Sequence, residues 1–66
     1  MPIIVKLRTG EALEVDSKEA TIGEILRKLG FSTEEYIAVV NGVVVTEFEK
    51  VREGDEIILF PVVSGG

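Results

Sequence analysis

Thr21-Ile22-Gly23-Glu24-Ile25-Leu26-Arg27-Lys28-Leu29-Gly30 decides the fold, because it is the one stretch of the chain with a helical period. Thr21 followed by Glu24 fits a capping box: the threonine hydroxyl accepts from a backbone N–H left unpaired by the first turn, and the glutamate reaches back to the N–H of the cap residue. Ile22, Ile25, Leu26 and Leu29 recur at i, i+3, i+4 and i+7, which gathers them into one apolar stripe. Glu24, Arg27 and Lys28 fall on the wet side, with both cations in the last turn, where the helix dipole favours positive charge. Gly30 supplies the left-handed residue that stops the helix.

Outward from that helix, everything reads as strand. On the N-terminal side, residues 2–8 alternate Ile3, Val5 and Leu7 with Ile4, Lys6 and Arg8, the period of a strand with one buried face. Thr9-Gly10 turns the chain, and residues 11–15 return with Ala12 or Leu13 and Val15 as the positions to bury, predicting an antiparallel hairpin. On the C-terminal side Phe31 is expected to pack over the helix end, with Ser32-Thr33-Glu34-Glu35 as a polar turn. Residues 37–40 and 43–46 flank Asn41-Gly42, a strong hairpin signal because both central residues of a type I′ turn need positive φ. Val51-Arg52-Glu53-Gly54-Asp55 reads as a turn, and residues 56–61 as a last strand rich in β-branched and aromatic side chains.

The expected order is therefore β-β-α-β-β-β, an α+β domain over residues 1–61 with a thin tail at 62–66. One helix covers only one face of a sheet. In the last strand Ile57 and Leu59 point one way while Ile58 and Phe60 point the other, and both pairs are apolar. Ile57 and Leu59 are expected to meet the helix, leaving Ile58 and Phe60 on the open face near the tail unless a loop covers them.

What the chain lacks limits its chemistry. Among its 66 residues there is no cysteine and no histidine, which removes disulfides, the usual zinc and iron–sulfur ligation, and any Ser-His or Cys-His nucleophile pair. Ser64 has no base to activate it. Glu34-Glu35 and Glu47 with Glu49 read as solvated charges, and Lys6, Lys18, Lys28 and Lys50 as solubilising ones, so no metal site and no catalytic role is expected. A hydrophobic fraction of 45% is that of a globular chain. A formal charge of −5 argues against nucleic acid, whose phosphates select clustered Lys and Arg, and for a protein partner with a basic surface. The N-terminus does not read as a signal peptide, and the longest apolar run, residues 57–63, is far short of a membrane span, so a cytoplasmic protein without membrane contact is expected.

The remaining feature is the tail. Pro61 cannot donate to a ladder and marks a strand end, after which Val62-Val63-Ser64 leads into Gly65-Gly66, two residues without a Cβ that fit a channel too narrow for side chains. A frayed, inert end is the plain alternative.

Taken together, the element order, Val39-Val40-Asn41-Gly42, Glu53-Gly54-Asp55-Glu56-Ile57 and the ending Leu59-Phe60-Pro61-Val62-Val63-Ser64-Gly65-Gly66 resemble the ThiS/MoaD family of ubiquitin-like sulfur carriers over the whole chain. The resemblance implies a β-grasp fold with sheet order 2-1-5-3-4 and the helix across one face. It implies that an adenylating, ubiquitin-activating-like enzyme uses ATP and magnesium to activate the carboxylate of Gly66, with no cofactor bound by the chain itself. A sulfur donor carrying a persulfide would convert that group to a thiocarboxylate for a downstream synthase, either thiazole synthase or the large subunit of molybdopterin synthase. Ser64, Gly65 and Gly66 would thread into the partner, while Ile58, Phe60, Pro61 and Val63 would dock. The short connection after the helix and the Asn41-Gly42 turn look more like the thiamin branch. Phe60-Pro61 with Val63-Ser64-Gly65-Gly66 looks more like the molybdopterin branch, from which Val62 departs because a second proline is usual there. A protein modifier joined to lysines through Gly66, or an interaction module with an inert tail, are the alternative readings.

Overall fold

The computed structural model describes residues 2–63. Its elements are β1 (Ile3–Leu7), β2 (Ala12–Val15), β3 (Glu19–Thr21), α1 (Ile22–Leu29), β4 (Tyr36–Val40), β5 (Val43–Val45), β6 (Lys50–Arg52) and β7 (Ile57–Pro61). The five-stranded sheet runs β2-β1-β7-β4-β5, with β1 and β7 parallel at its centre and the other neighbours antiparallel. That is the expected 2-1-5-3-4 arrangement, counted over the five strands of this sheet.

One part of the expected order needs correction. Residues 51–55 are not all turn: Lys50–Arg52 is a strand, and it pairs antiparallel with Glu19–Thr21 as a small second sheet. Each strand has one buried side chain, Ala20 or Val51, between polar neighbours. The loop leading into this sheet also completes the helix N-terminus, where the first N–H groups have no partner within the helix. The N–H of Ile22 donates to the Glu49 carbonyl (2.9 Å) and that of Gly23 to the Glu47 carbonyl (2.8 Å). Glu24 N–H donates to Thr21 Oγ1 (3.2 Å), and Thr21 N–H donates to Glu24 Oε1 (2.9 Å), closing the capping box. A Cβ on Gly23, the second residue of the helix, would lie 3.3 Å from the Glu47 carbonyl oxygen, a tight approach that glycine avoids.

At the other end Gly30 takes φ 81°, its N–H donates to Arg27, and Phe31 N–H donates to Leu26 (2.8 Å), the double bond pattern of a Schellman stop. Phe31 then packs against the core and against Tyr36, with ring centroids 4.8 Å apart.

The core lies between α1 and one face of the larger sheet. Ile22, Ile25 and Leu26 from the helix meet Ile3, Val5, Val15, Ala38, Val40, Ile57 and Leu59 from the strands. Register is held at one end by a knot of hydrogen bonds. Asn41 and Gly42 both have positive φ, 50° and 85°, as the tight hairpin requires. Asn41 N–H donates to the Glu56 carbonyl (2.8 Å), its side-chain oxygen accepts from Glu56 N–H (3.0 Å), and its amide Nδ2 donates to Asp55 Oδ1 (3.2 Å). The β4–β5 turn and the turn before β7 are thus one unit.

Candidate functional site

The sheet face away from the helix is built by alternation. Because Ile57 and Leu59 are buried under the helix, Ile58 and Phe60 must lie on the opposite side. Register places Val39 beside Ile58, Val44 beside Val39, and Ile37 beside Phe60, so the open face carries an apolar strip across β7, β4 and β5. On the other flank Lys6 lies beside Ile58, where the strip ends in charge.

The candidate docking residues divide by exposure. Ile58 is half-buried by its strand neighbours, Phe60 is 38% exposed, Pro61 is exposed, and Val63 is 86% exposed. Ile58 and Phe60 share the open face, whereas Pro61 by alternation lies on the Leu59 side of the strand, so the expected docking residues fall on two sides of β7. Ser64, Gly65 and Gly66, expected to thread into a partner, lie outside the described residues. Val62 does not hang free: its N–H donates to the Glu35 carbonyl (2.8 Å), which continues the β4–β7 ladder one residue past Pro61. At the foot of the tail Leu7, Arg8, Thr9, Tyr36, Leu59 and Pro61 line a hollow of about 160 Å³.

Ile37, Val39 and Val44 were not singled out from sequence as part of this face. The signal was there, since Ile37-Ala38-Val39-Val40 is apolar on both sides in the same way as Ile57-Ile58-Leu59-Phe60.

Electrostatics bear on the scaffold rather than on the strip. Asp55 is held below its ordinary pKa of 3.8 first by the Arg52 N–H it accepts at 2.9 Å and then by the Asn41 amide. Glu24 is lowered likewise by its bonds to Thr21. Among the described residues no cluster of three or more Asp, Glu, His or Cys is arranged to hold a metal ion, and no helix is long and apolar enough to cross a membrane.

The ThiS family model matches residues 4–66, from the second residue of β1 through the last glycine. The chain belongs to the ThiS family. Its β-grasp sheet with one helix is that family's fold, and ThiS family members are small sulfur carriers rather than catalysts. The match extends beyond β7 through Gly65-Gly66, so the stretch adjoining the apolar strip belongs to the family pattern as much as the core does.

Proposed function

We propose that this chain carries sulfur on the α-carboxylate of Gly66. In this reading an activating enzyme joins the carboxylate to AMP from ATP, releasing pyrophosphate. A carboxylate resists nucleophiles because it is anionic and lacks a leaving group; the acyl adenylate is a mixed anhydride from which AMP departs readily. The terminal sulfur of a donor persulfide attacks the acyl carbon and displaces AMP. The new bond is C–S, giving an acyl disulfide; a thiol then cleaves the S–S bond that came from the persulfide, leaving a thiocarboxylate on Gly66 and a disulfide on the donor side. Phe60, Pro61 and Val63, with Ile58 beside them, dock on the partner while Ser64 and Gly65 deliver the reacting group.

The observation that supports this most is the family match running through Gly66 directly after a strand whose outer face is apolar and exposed. Of the downstream reactions, we favour sulfur donation to a thiazole synthase in thiamin biosynthesis, because of the family matched and the short residue 30–35 connection between α1 and β4. The test is intact mass after co-expression with a cognate activating enzyme and a sulfur source. Exchange of one terminal oxygen for sulfur is expected, and its disappearance on deletion of Gly65-Gly66. An unchanged mass under conditions that load a known carrier sinks the reading, and linkage to lysines of other proteins replaces it with a modifier. Stable capture by a molybdopterin synthase large subunit redirects the final step.

A further inference from the structure

The two edges of the larger sheet differ sharply. Edge strands expose unpaired backbone groups, and charge is a common guard against unwanted pairing. The β2 edge has it: Glu11, Glu14 and Asp16 lie in or beside Ala12–Val15, all exposed. The β5 edge is Val43-Val44-Val45-Thr46, without charge, and Val44 is 68% exposed. Antiparallel ladders bond through alternate residues. The Asn41–Glu56 and Glu35–Val62 bonds assign odd-numbered β4 residues to β7, so even ones bond to Val43 and Val45, and the backbone of Val44 faces outward.

Where β5 stops, a groove of about 440 Å³ opens. The Ala38–Val45 pair is the last of the β4–β5 ladder, and beyond it Tyr36 and Ile37, paired with β7 on one side, have no strand beside them on the β5 side. Ile22, Leu26, Tyr36, Ile37, Val45 and Phe48 are among the residues lining this groove. Phe48, 80% exposed, stands at its rim. Glu47 is the one charged residue in the lining, while Glu34, Glu35 and Glu49, all exposed, lie next to lining residues in the chain. Arg27, exposed and next to Leu26, is the one cation adjacent in the chain to a lining residue, and Lys50, two residues beyond Phe48, lies 3.9 Å from Glu19.

We propose that the β5 edge and this groove form a second docking site, for an extended basic segment of a partner protein. Such a segment adds as a strand along Val44, places one aromatic or large aliphatic side chain in the groove against Phe48, and sets Lys or Arg beside Glu47 and its acidic neighbours. Backbone pairing supplies affinity and the groove supplies selectivity, as in strand-addition recognition. A second copy of this chain is the poorer occupant, because pairing along this edge brings two acidic rims, each on a chain of charge −5, against one another. The site is independent of the chemistry at Gly66.

The test is a titration of the ¹⁵N-labelled protein with the capped peptide Lys-Val-Phe-Val-Lys, with Glu-Val-Phe-Val-Glu as control. Shifts are expected at the amides of Tyr36 and Val44 to Phe48 with the basic peptide alone, weakening as salt is added. Phe48→Ser, which removes an exposed side chain and should leave the rest of the spectrum in place, is expected to weaken binding by about tenfold. No shifts at millimolar peptide, shifts confined to Ile58 and Phe60, or equal response to the acidic peptide overturn the proposal. So does sedimentation as a dimer that Val44→Lys converts to monomer.

Discussion

Within β7, Ile57 and Leu59 are sealed beneath the helix, whereas Ile58 and Phe60, of the same chemical kind, lie on a face that no described element covers. Composition cannot tell these two pairs apart. Register does, since a slip of one residue would exchange them. The difference separates two uses of apolar surface in one strand: one side holds the domain together, the other remains available beside the tail. It also explains how a carrier this small can combine a stable fold with a sticky face.

The most forceful way to break the comparison is to cut into the sealed side. Leu59→Ala removes a fully buried side chain from the centre of the core. Leu-to-Ala changes of this kind cost about 2–5 kcal/mol, while a domain of this size has only ~3–5 kcal/mol of net stability from its core. The variant is expected to be largely unfolded at room temperature, which urea titration followed by circular dichroism will show. A midpoint near that of the parent would mean that the helix does not depend on β7.

The same truncation on the open side should act on the partner instead. Phe60→Thr puts a β-branched residue of good strand propensity in place of the aromatic one and is expected to lower stability by about 1–2 kcal/mol, within the ordinary range for a single substitution. Sulfur loading by the activating enzyme should fall by about tenfold or more, as expected when an interface anchor is removed. Loading at the parental rate, with the fold intact, would remove Phe60 from the docking surface.

Legibility from sequence followed the range of the signal. The helix was readable from end to end because its cap, stripe and stop lie within ten consecutive residues, Thr21 to Gly30. The Asn41-Gly42 hairpin and the two sides of β7 were readable for the same reason. The β3–β6 pair was not, since three residues with a single apolar one, Glu19-Ala20-Thr21 or Lys50-Val51-Arg52, have no period to detect, and their pairing spans some thirty residues. The bond from Asn41 to Asp55 was hidden similarly: Asn41-Gly42 and Gly54-Asp55 each looked like a self-contained turn, and nothing local says that one side chain joins them. The groove beyond β5 arises because β5 is shorter than β4, a boundary of the kind sequence defines poorly.

That joined turn supplies the smallest expected effect, and one that tests how the register of β7 is held. The carboxylate of Asp55 accepts from Arg52 N–H and from the Asn41 amide only in the folded chain, so its folded pKa lies below the ordinary value of 3.8. A depressed carboxylate contributes stability that is present above its unfolded pKa and is lost as pH falls through the folded one. The urea midpoint of the parent should therefore decline on acidification from about pH 5 to about pH 2.5, and Asp55→Asn should decline less steeply over the same window. The slope will not vanish, because Glu24, lowered by Thr21, titrates with the same sign. Identical slopes would show that backbone pairing of Asn41 with Glu56 holds the turn without Asp55. A shallower slope with unchanged amide shifts at Ile57 to Phe60 would show that the carboxylate stabilises a register already set by the ladder, so that the division of β7 into a sealed and an open side is fixed by the strands themselves.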